Sequence, residues 1–87
     1  MHKIQAKKNE EKRKLSQLNR GQCGKIVSVK APLGIRRRLM DIGLIRGVEF
    51  EVIRKAPLGD PIEIKVHGFL LSLRINEADF IEIEIID

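Results

Sequence analysis

The chain is 87 residues long, which is enough for one small domain and leaves little volume for a large enclosed active site. Hydrophobic residues make up 43% of it and charged residues 33%, a balance typical of a folded globular protein and not of a disordered one. Its apolar runs are far shorter than the roughly 18 residues of a membrane-spanning helix, and its N-terminus is charged where a secretory signal would be apolar. We therefore expect a cytoplasmic protein with no direct membrane insertion.

The net charge of +5 is concentrated at one end of the chain. Residues 1–14 contain six basic and two acidic side chains, so they account for four of the five net positive charges. We predict a flexible basic tail over residues 1–14 and a nearly neutral folded domain over residues 15–87. The tail is interpreted as solubilising, with docking to an acidic surface as the alternative. The single cysteine, Cys23, cannot form an internal disulfide, which agrees with a reducing compartment.

The first half of the domain predicts one strand and one helix. A β-rich run over residues 25–29 is typical of a strand. Further along, Ile35, Leu39 and Ile42 recur at spacings of four and three, which is the pattern of one helical face, and Gly43 stands where a helix would end. Because so short a helix does not persist alone, we expect this face to pack on the sheet, with Leu39 and Ile42 in the core.

The second half of the domain alternates between apolar and charged residues. Residues 48–55 and 62–66 each place apolar side chains on one face and charged side chains on the other, which is typical of half-buried strands. Residues 57–61 are rich in proline and glycine and predict the turn between them. His67-Gly68 fits a type I′ hairpin that leads into a further strand over residues 69–73.

The C-terminal part predicts a helical turn and a last strand. Asn76 is expected to cap a turn over residues 76–79, and residues 81–85 place isoleucines on one face and glutamates on the other. Five short strands joined by tight turns favour a mostly β fold. We predict a small SH3-like five-stranded barrel with one inserted short α-helix and a helical turn.

Side chains that could perform catalysis or hold a metal are scarce. The chain has two histidines, one cysteine and no tyrosine, and His2 lies in the predicted tail. His67 alone is too little for the usual zinc ligand sets, and Cys23 with His67 matches no motif of a nucleophile and its base. We therefore predict no catalytic residue, no cofactor and no metal site. A Cys23-dependent enzyme is the alternative, which Cys23→Ser would test.

Two kinds of recognition common among small barrels are disfavoured by composition. Polyproline peptides and single-stranded nucleic acids are both bound on aromatic side chains, and this chain has no tryptophan, no tyrosine and three phenylalanines. Nucleic acid is therefore a disfavoured partner. A nucleic-acid-binding barrel stays the alternative function, since the basic tail and the arginine run at residues 36–38 could serve it.

Three motifs follow one another in a specific order along the domain. They are Gly-x-x-Gly-x-Ile at residues 21–26, Arg-Arg-Arg-Leu-Met-Asp-Ile-Gly-Leu-Ile-Arg-Gly at residues 36–47, and Arg-Lys-Ala-Pro-Leu-Gly-Asp-Pro-Ile at residues 54–62. In this order they resemble the ferrous iron transport protein A (FeoA) family, and the resemblance covers about residues 15–86. It implies an SH3-like barrel with an inserted helix and a supporting role beside the membrane ferrous iron transporter, whose cytosolic part is a GTP-binding domain.

The resemblance implies a non-catalytic accessory or regulatory protein of bacterial ferrous iron uptake whose partner is that cytosolic domain. Loop and helix-end positions carry function on a rigid scaffold. The predicted partner-binding residues are Arg36, Arg37, Leu44, Arg46, Leu58 and Asp60. A solvated helix face is the alternative interpretation of the arginines. Weak self-association through an exposed edge strand also stays open.

Overall fold

The computed structural model describes residues 13–86, which form one six-stranded antiparallel sheet and two short α-helices. The strands are β1 (Arg13–Lys14), β2 (Cys23–Val29), β3 (Glu49–Lys55), β4 (Ile62–Val66), β5 (Phe69–Leu73) and β6 (Ile81–Ile86). The helices are α1 (Leu33–Asp41) and α2 (Ile75–Ala78), and Leu15–Gln17 form a 3₁₀ turn. Within these residues, neither helix has the length and apolar character to cross a membrane. The predicted mostly β fold with one inserted helix and a helical turn is confirmed.

The strands are ordered β1-β6-β2-β3-β4-β5 in the sheet, and five of them are those that the sequence predicts. The sixth, β1, pairs Arg13 with Ile83 and Lys14 with Glu82. Among the described residues, pairing thus includes two residues of the predicted tail. Two exposed basic residues give no alternation, so only their backbone pairing with β6 defines this strand. Residues 1–12 of the predicted tail lie outside the described residues.

The sheet curves around a single apolar core. Register shifts between Ile26 and Ser28 on β2 and between Val52 and Arg54 on β3 mark two bulges, which bend and twist a sheet locally. The side chains that the curved sheet and its helices bury are Leu15, Leu18, Ile26, Leu39, Leu44, Phe50, Val52, Ile62, Ile64, Val66, Leu73, Ala78, Ile81 and Ile83. The inward face of each alternating strand therefore supplies the core, as the pattern predicts.

Helix α1 ends in a cap at Gly43. This cap exposes Ile42, which is predicted in the core, and buries Leu44, which is predicted at the surface. Gly43 has a φ of +95°, and its N–H donates to the Met40 carbonyl while the Leu44 N–H donates to the Leu39 carbonyl, both at 2.9 Å. This pair of bonds is the Schellman motif. It leaves Ile42 exposed and turns Leu44 into the core. The prediction that Ile42 is a core residue is wrong, because the chain leaves the helical path before Ile42 can pack.

The hairpin predicted between β4 and β5 is confirmed. His67 and Gly68 both have positive φ, +52° and +84°, so the β4–β5 connection is the predicted type I′ hairpin.

Asn76 does not cap α2, because the helix begins at Ile75. The Ile75 N–H donates to the Asp60 carboxylate and the Arg74 N–H to the Glu77 carboxylate, each at 3.0 Å. A residue distant in sequence thus takes part of the capping role.

Gly24 on β2 allows Phe50 and the backbone of β6 to approach closely. A Cβ at this position would lie 2.7 Å from the Phe50 ring and 2.9 Å from the Glu84 carbonyl oxygen, and the backbone oxygen cannot rotate away. We expect Gly24→Ala to lower the free energy of unfolding by about 1–3 kcal/mol, measured by urea denaturation. Gly34→Ala is the matched control, because that exposed position on α1 has open space and should gain about 0.5–1 kcal/mol. Equal effects at the two positions would contradict this packing.

Candidate functional site

An apolar groove open to solvent lies beside α1. It has a volume of about 420 Å³ and is lined by Val29, Arg36, Met40, Leu44, Ile45 and Arg46. We call it the α1 groove. Met40 and Ile45 are 51% and 47% exposed, whereas Leu44 is fully buried and lies at the base. The groove thus combines accessible apolar side chains with two guanidinium groups.

The cap of α1 brings the two walls of the groove together. Arg36 and Met40 are four residues apart and share one side of the helix. After the turn at Gly43, the Gly47 N–H donates to the Ile26 carbonyl at 2.8 Å, and the Ile26 N–H donates to the Val48 carbonyl at 2.9 Å. These bonds tie the segment that carries Ile45 and Arg46 to β2. The groove is therefore formed in the free protein.

The three residues of the arginine run differ in their contacts within residues 13–86. Arg38 forms an ion pair with Glu77, the one buried charged residue of the described part, and so joins α1 to α2. Arg36 and Arg37 are exposed and, like Arg46, have no ion pair with any residue in 13–86. Around the α1 groove, positive charge is thus uncompensated within that range. An apolar surface flanked by free arginines suits a partner segment that combines apolar and acidic side chains.

The six predicted partner-binding residues do not form one surface. Arg36 and Arg46 line the α1 groove, and Arg37 lies on the exposed side of the same helix. The cap after α1 buries the Leu44 side chain, which lines the groove from its base, and its contact with a partner stays a prediction. Binding by Arg36, Arg37 and Arg46 stays a prediction.

The other two predicted residues belong to the turn between β3 and β4 and do not line the α1 groove. Leu58 is 96% exposed at its tip, and its contact with a partner stays a prediction. The Asp60 carboxylate accepts the Ile75 N–H, and its Oδ1 lies 3.6 Å from the Arg74 Nε. Asp60 therefore stabilises the start of α2 from within the chain, whatever else it contacts.

Three residues of the groove, Val29, Met40 and Ile45, are absent from the sequence prediction. One signal for Met40 exists: Leu33 and Met40 are seven residues apart, which places them on one side of α1, away from the buried Leu39. A short helix with apolar residues on both sides has a second apolar surface. Val29 and Ile45 give no such signal, since only the folded chain brings β2 beside the turn after α1.

A second open cavity of about 370 Å³ is lined by residues that include Cys23, His67, Glu49, Glu51 and Lys65. Within residues 13–86, no group of three or more histidine, cysteine, aspartate or glutamate side chains is arranged to hold a metal ion. The same residues contain no buried side-chain nitrogen or oxygen without a hydrogen-bond partner. This donor set does not fit a resident metal, and we derive no step through one.

Comparison with known proteins identifies similar sequences. The model of the FeoA domain family matches residues 13–85. A fusion protein from Porphyromonas gingivalis, described as Fe(2+) transport protein A/Fe(2+) transporter FeoB, is 34% identical over 73 residues, which are 84% of this chain. The chain spans 9% of the length of that relative.

Solved structures show the same architecture. FeoA from Chlorobium tepidum is 49% identical with a TM-score of 0.81, over 86% of this chain and 71% of its own. FeoA from Stenotrophomonas maltophilia, solved in complex with zinc, is 30% identical with a TM-score of 0.73, over 83% of this chain and 89% of its own. The Stenotrophomonas protein is described as a prokaryotic SH3 domain, which confirms the predicted SH3-like fold.

Proposed function

The chain belongs to the FeoA family, and from that premise we propose that it is a non-catalytic accessory protein of ferrous iron transport that binds the membrane transporter's cytosolic GTP-binding part. The observation that carries this proposal is the preformed α1 groove, whose Arg36 and Arg46 have no ion pair with any residue in 13–86. We propose a cytoplasmic location, on the side of the membrane where that domain lies.

Two of the relatives named above support the proposal that this chain acts in contact with the transporter. In the Porphyromonas protein, the transport protein A part and the transporter are one polypeptide. Such a tether gives two modules an effective concentration on the order of millimolar, so even a weak contact between them is populated. The Stenotrophomonas protein is described as a candidate activating factor of bacterial ferrous iron transport. A separate chain would need its own contact surface to act on the transporter.

The chemistry of the domain supports binding over catalysis. Cys23 and His67 line one cavity together with Glu49, Glu51 and Lys65, but this cavity is open to solvent and, within residues 13–86, no buried side-chain nitrogen or oxygen lacks a hydrogen-bond partner. The link to iron would then run through the transporter, which handles iron as its substrate. We assign the function of this chain to its surface.

The α1 groove sets the chemistry of the docking segment. Met40 and Ile45 offer accessible apolar area, and Arg36 and Arg46 lie beside them. Arginine contributes strongly at protein interfaces because its fork can bind a carboxylate through two hydrogen bonds. We infer that the transporter's cytosolic domain presents one or two apolar side chains with flanking carboxylates to this groove.

Calorimetric titration of the full chain with the purified cytosolic domain, in its GDP-bound and GTP-analogue-bound forms, tests the proposal. We expect saturable one-to-one binding whose affinity falls as the salt concentration rises, because ion pairs at the rim of an interface are screened. If neither nucleotide form of the cytosolic domain bound the chain, the proposal would be contradicted. Tighter binding to single-stranded nucleic acid than to the domain would favour the alternative function.

A further inference from the structure

Strand β5 is one edge of the sheet, and within residues 13–86 it pairs only with β4. Its five residues, Phe69–Leu73, carry no charge and include no proline. Phe69 and Leu70 are 71% and 61% exposed. The β4–β5 register is continuous, with both bulges of the sheet in other strand pairs. The strand thus has none of the charges, prolines or bulges by which proteins usually keep an edge from pairing.

The hairpin geometry fixes which backbone groups face the free edge. A two-residue hairpin is closed by a hydrogen-bonded pair, which here is Val66 and Phe69. Hydrogen-bonded and non-hydrogen-bonded pairs then alternate along the antiparallel ladder. Leu70 and Ser72 are therefore the residues whose N–H and C=O groups point away from β4. They offer four backbone hydrogen-bonding groups to a further strand.

We propose that this edge is a self-association surface, on which β5 pairs antiparallel with β5 of a second copy of the chain. A two-fold axis at Leu71 places Leu70 of one copy opposite Ser72 of the other. By symmetry, Ser72 of the first copy lies opposite Leu70 of the second. The four outward backbone groups of each copy are then satisfied by the other. The two sheets become one continuous sheet, and exposed Phe69 and Leu70 are covered.

Charge favours a second copy over other occupants. Uncharged β5 offers no electrostatic gain to an acidic or basic segment, including the basic residues 1–14 of this chain. On the neighbouring strand, Glu63 and Lys65 have opposite signs, and Glu63 already faces Arg54 at 3.7 Å. A copy of the same neutral strand matches β5 in length, register and polarity.

The proposed dimer has a small interface and leaves the α1 groove free. One five-residue strand on each side falls at the low end of interface sizes, below about 1,200 Å², which corresponds to weak and concentration-dependent association. No residue of β5 lines the α1 groove. A dimer would therefore present two grooves at once, and a partner with two matching segments would bind it with increased avidity.

Sedimentation equilibrium of the full chain alone, over a series of concentrations, tests this inference independently of the transporter. We expect the average mass to rise toward twice the monomer mass. Leu70→Lys should keep the chain monomeric at concentrations where the parent is half dimeric, because a charge on the edge opposes pairing. Ser72→Pro should do the same, since it removes an N–H that points to the free edge and not to β4.

Leu58→Lys is the matched control, because it makes the same kind of substitution at an exposed leucine outside β5 and should leave the association unchanged. Circular dichroism melts of each variant show whether it is folded. A parent that is monomeric at every concentration would overturn the inference. So would a dimer that persists in folded Leu70→Lys and Ser72→Pro.

Discussion

Reversing the charge of either Arg36 or Arg46 should weaken binding to the transporter's cytosolic domain by at least about tenfold, or about 1.4 kcal/mol, in calorimetric titration. Each residue lines the α1 groove and has no ion pair within residues 13–86. A glutamate at either position would repel the carboxylates that we assign to the docking segment. Because both side chains are exposed and have no ion pair in the described part of the chain, thermal stability should stay near that of the parent.

Arg20→Glu is the matched control for this experiment. Arg20 is exposed in the turn before β2, does not line the α1 groove, and its reversal changes the net charge by the same amount. Its effect on binding should stay within about twofold, as for a distant rim charge screened by salt. Arg37→Glu, beside the groove but not in it, should fall between the two. Equal losses in all four variants would mean that net charge, and not the groove, determines binding.

Leu44→Ala should destabilise the fold, which is the largest stability effect we predict. Leu44 is fully buried beneath the groove, and truncation of such a leucine costs about 2–5 kcal/mol. In a domain of this size that corresponds to a fall in melting temperature of at least about 10 °C, measurable by circular dichroism. The total stability of a small domain is about 5–15 kcal/mol, so part of the population would be unfolded on mild heating.

Met40→Ala separates the structural role of Leu44 from binding. Met40 is half-exposed on the groove wall, so its truncation should change the free energy of unfolding by less than about 1 kcal/mol. The same substitution should weaken binding to the cytosolic domain, because it removes apolar contact area. If Leu44→Ala kept the parent's stability, the structural role of Leu44 would be contradicted, and unchanged binding by Met40→Ala would contradict the groove assignment.

Local sequence patterns predict most of the fold because the decisive interactions are local. Apolar and charged residues alternate along β3, β4 and β6 because one face of each strand is buried. The dipeptide His67-Gly68 adopts the positive φ angles of a type I′ turn from its local sequence. The errors occur where backbone hydrogen bonds that leave no mark in the apolar pattern decide the structure. The cap at Gly43 exchanges the roles of Ile42 and Leu44, and Asp60 from another turn bonds to the start of α2. Two basic residues become β1 only because β6 lies beside them.

The candidate site could be predicted only in part for the same reason. Arg36 and Arg46 stand out in the sequence because they are charged residues in and just after the predicted helix. Met40 and Ile45 resemble ordinary core residues until the fold shows that they are half-exposed. Val29 reaches the groove because β2 ends beside α1. A groove made from three segments has no continuous sequence signature.

The most direct test of the central claim is a nuclear magnetic resonance titration of the isotope-labelled full chain with the unlabelled cytosolic domain. If the α1 groove receives a segment of that domain, the largest shift changes should occur at the amides of Val29, Met40, Ile45 and Arg46. Binding that perturbs the β4–β5 hairpin or the turn around Leu58 and leaves these four amides unchanged would contradict the assignment of the docking site.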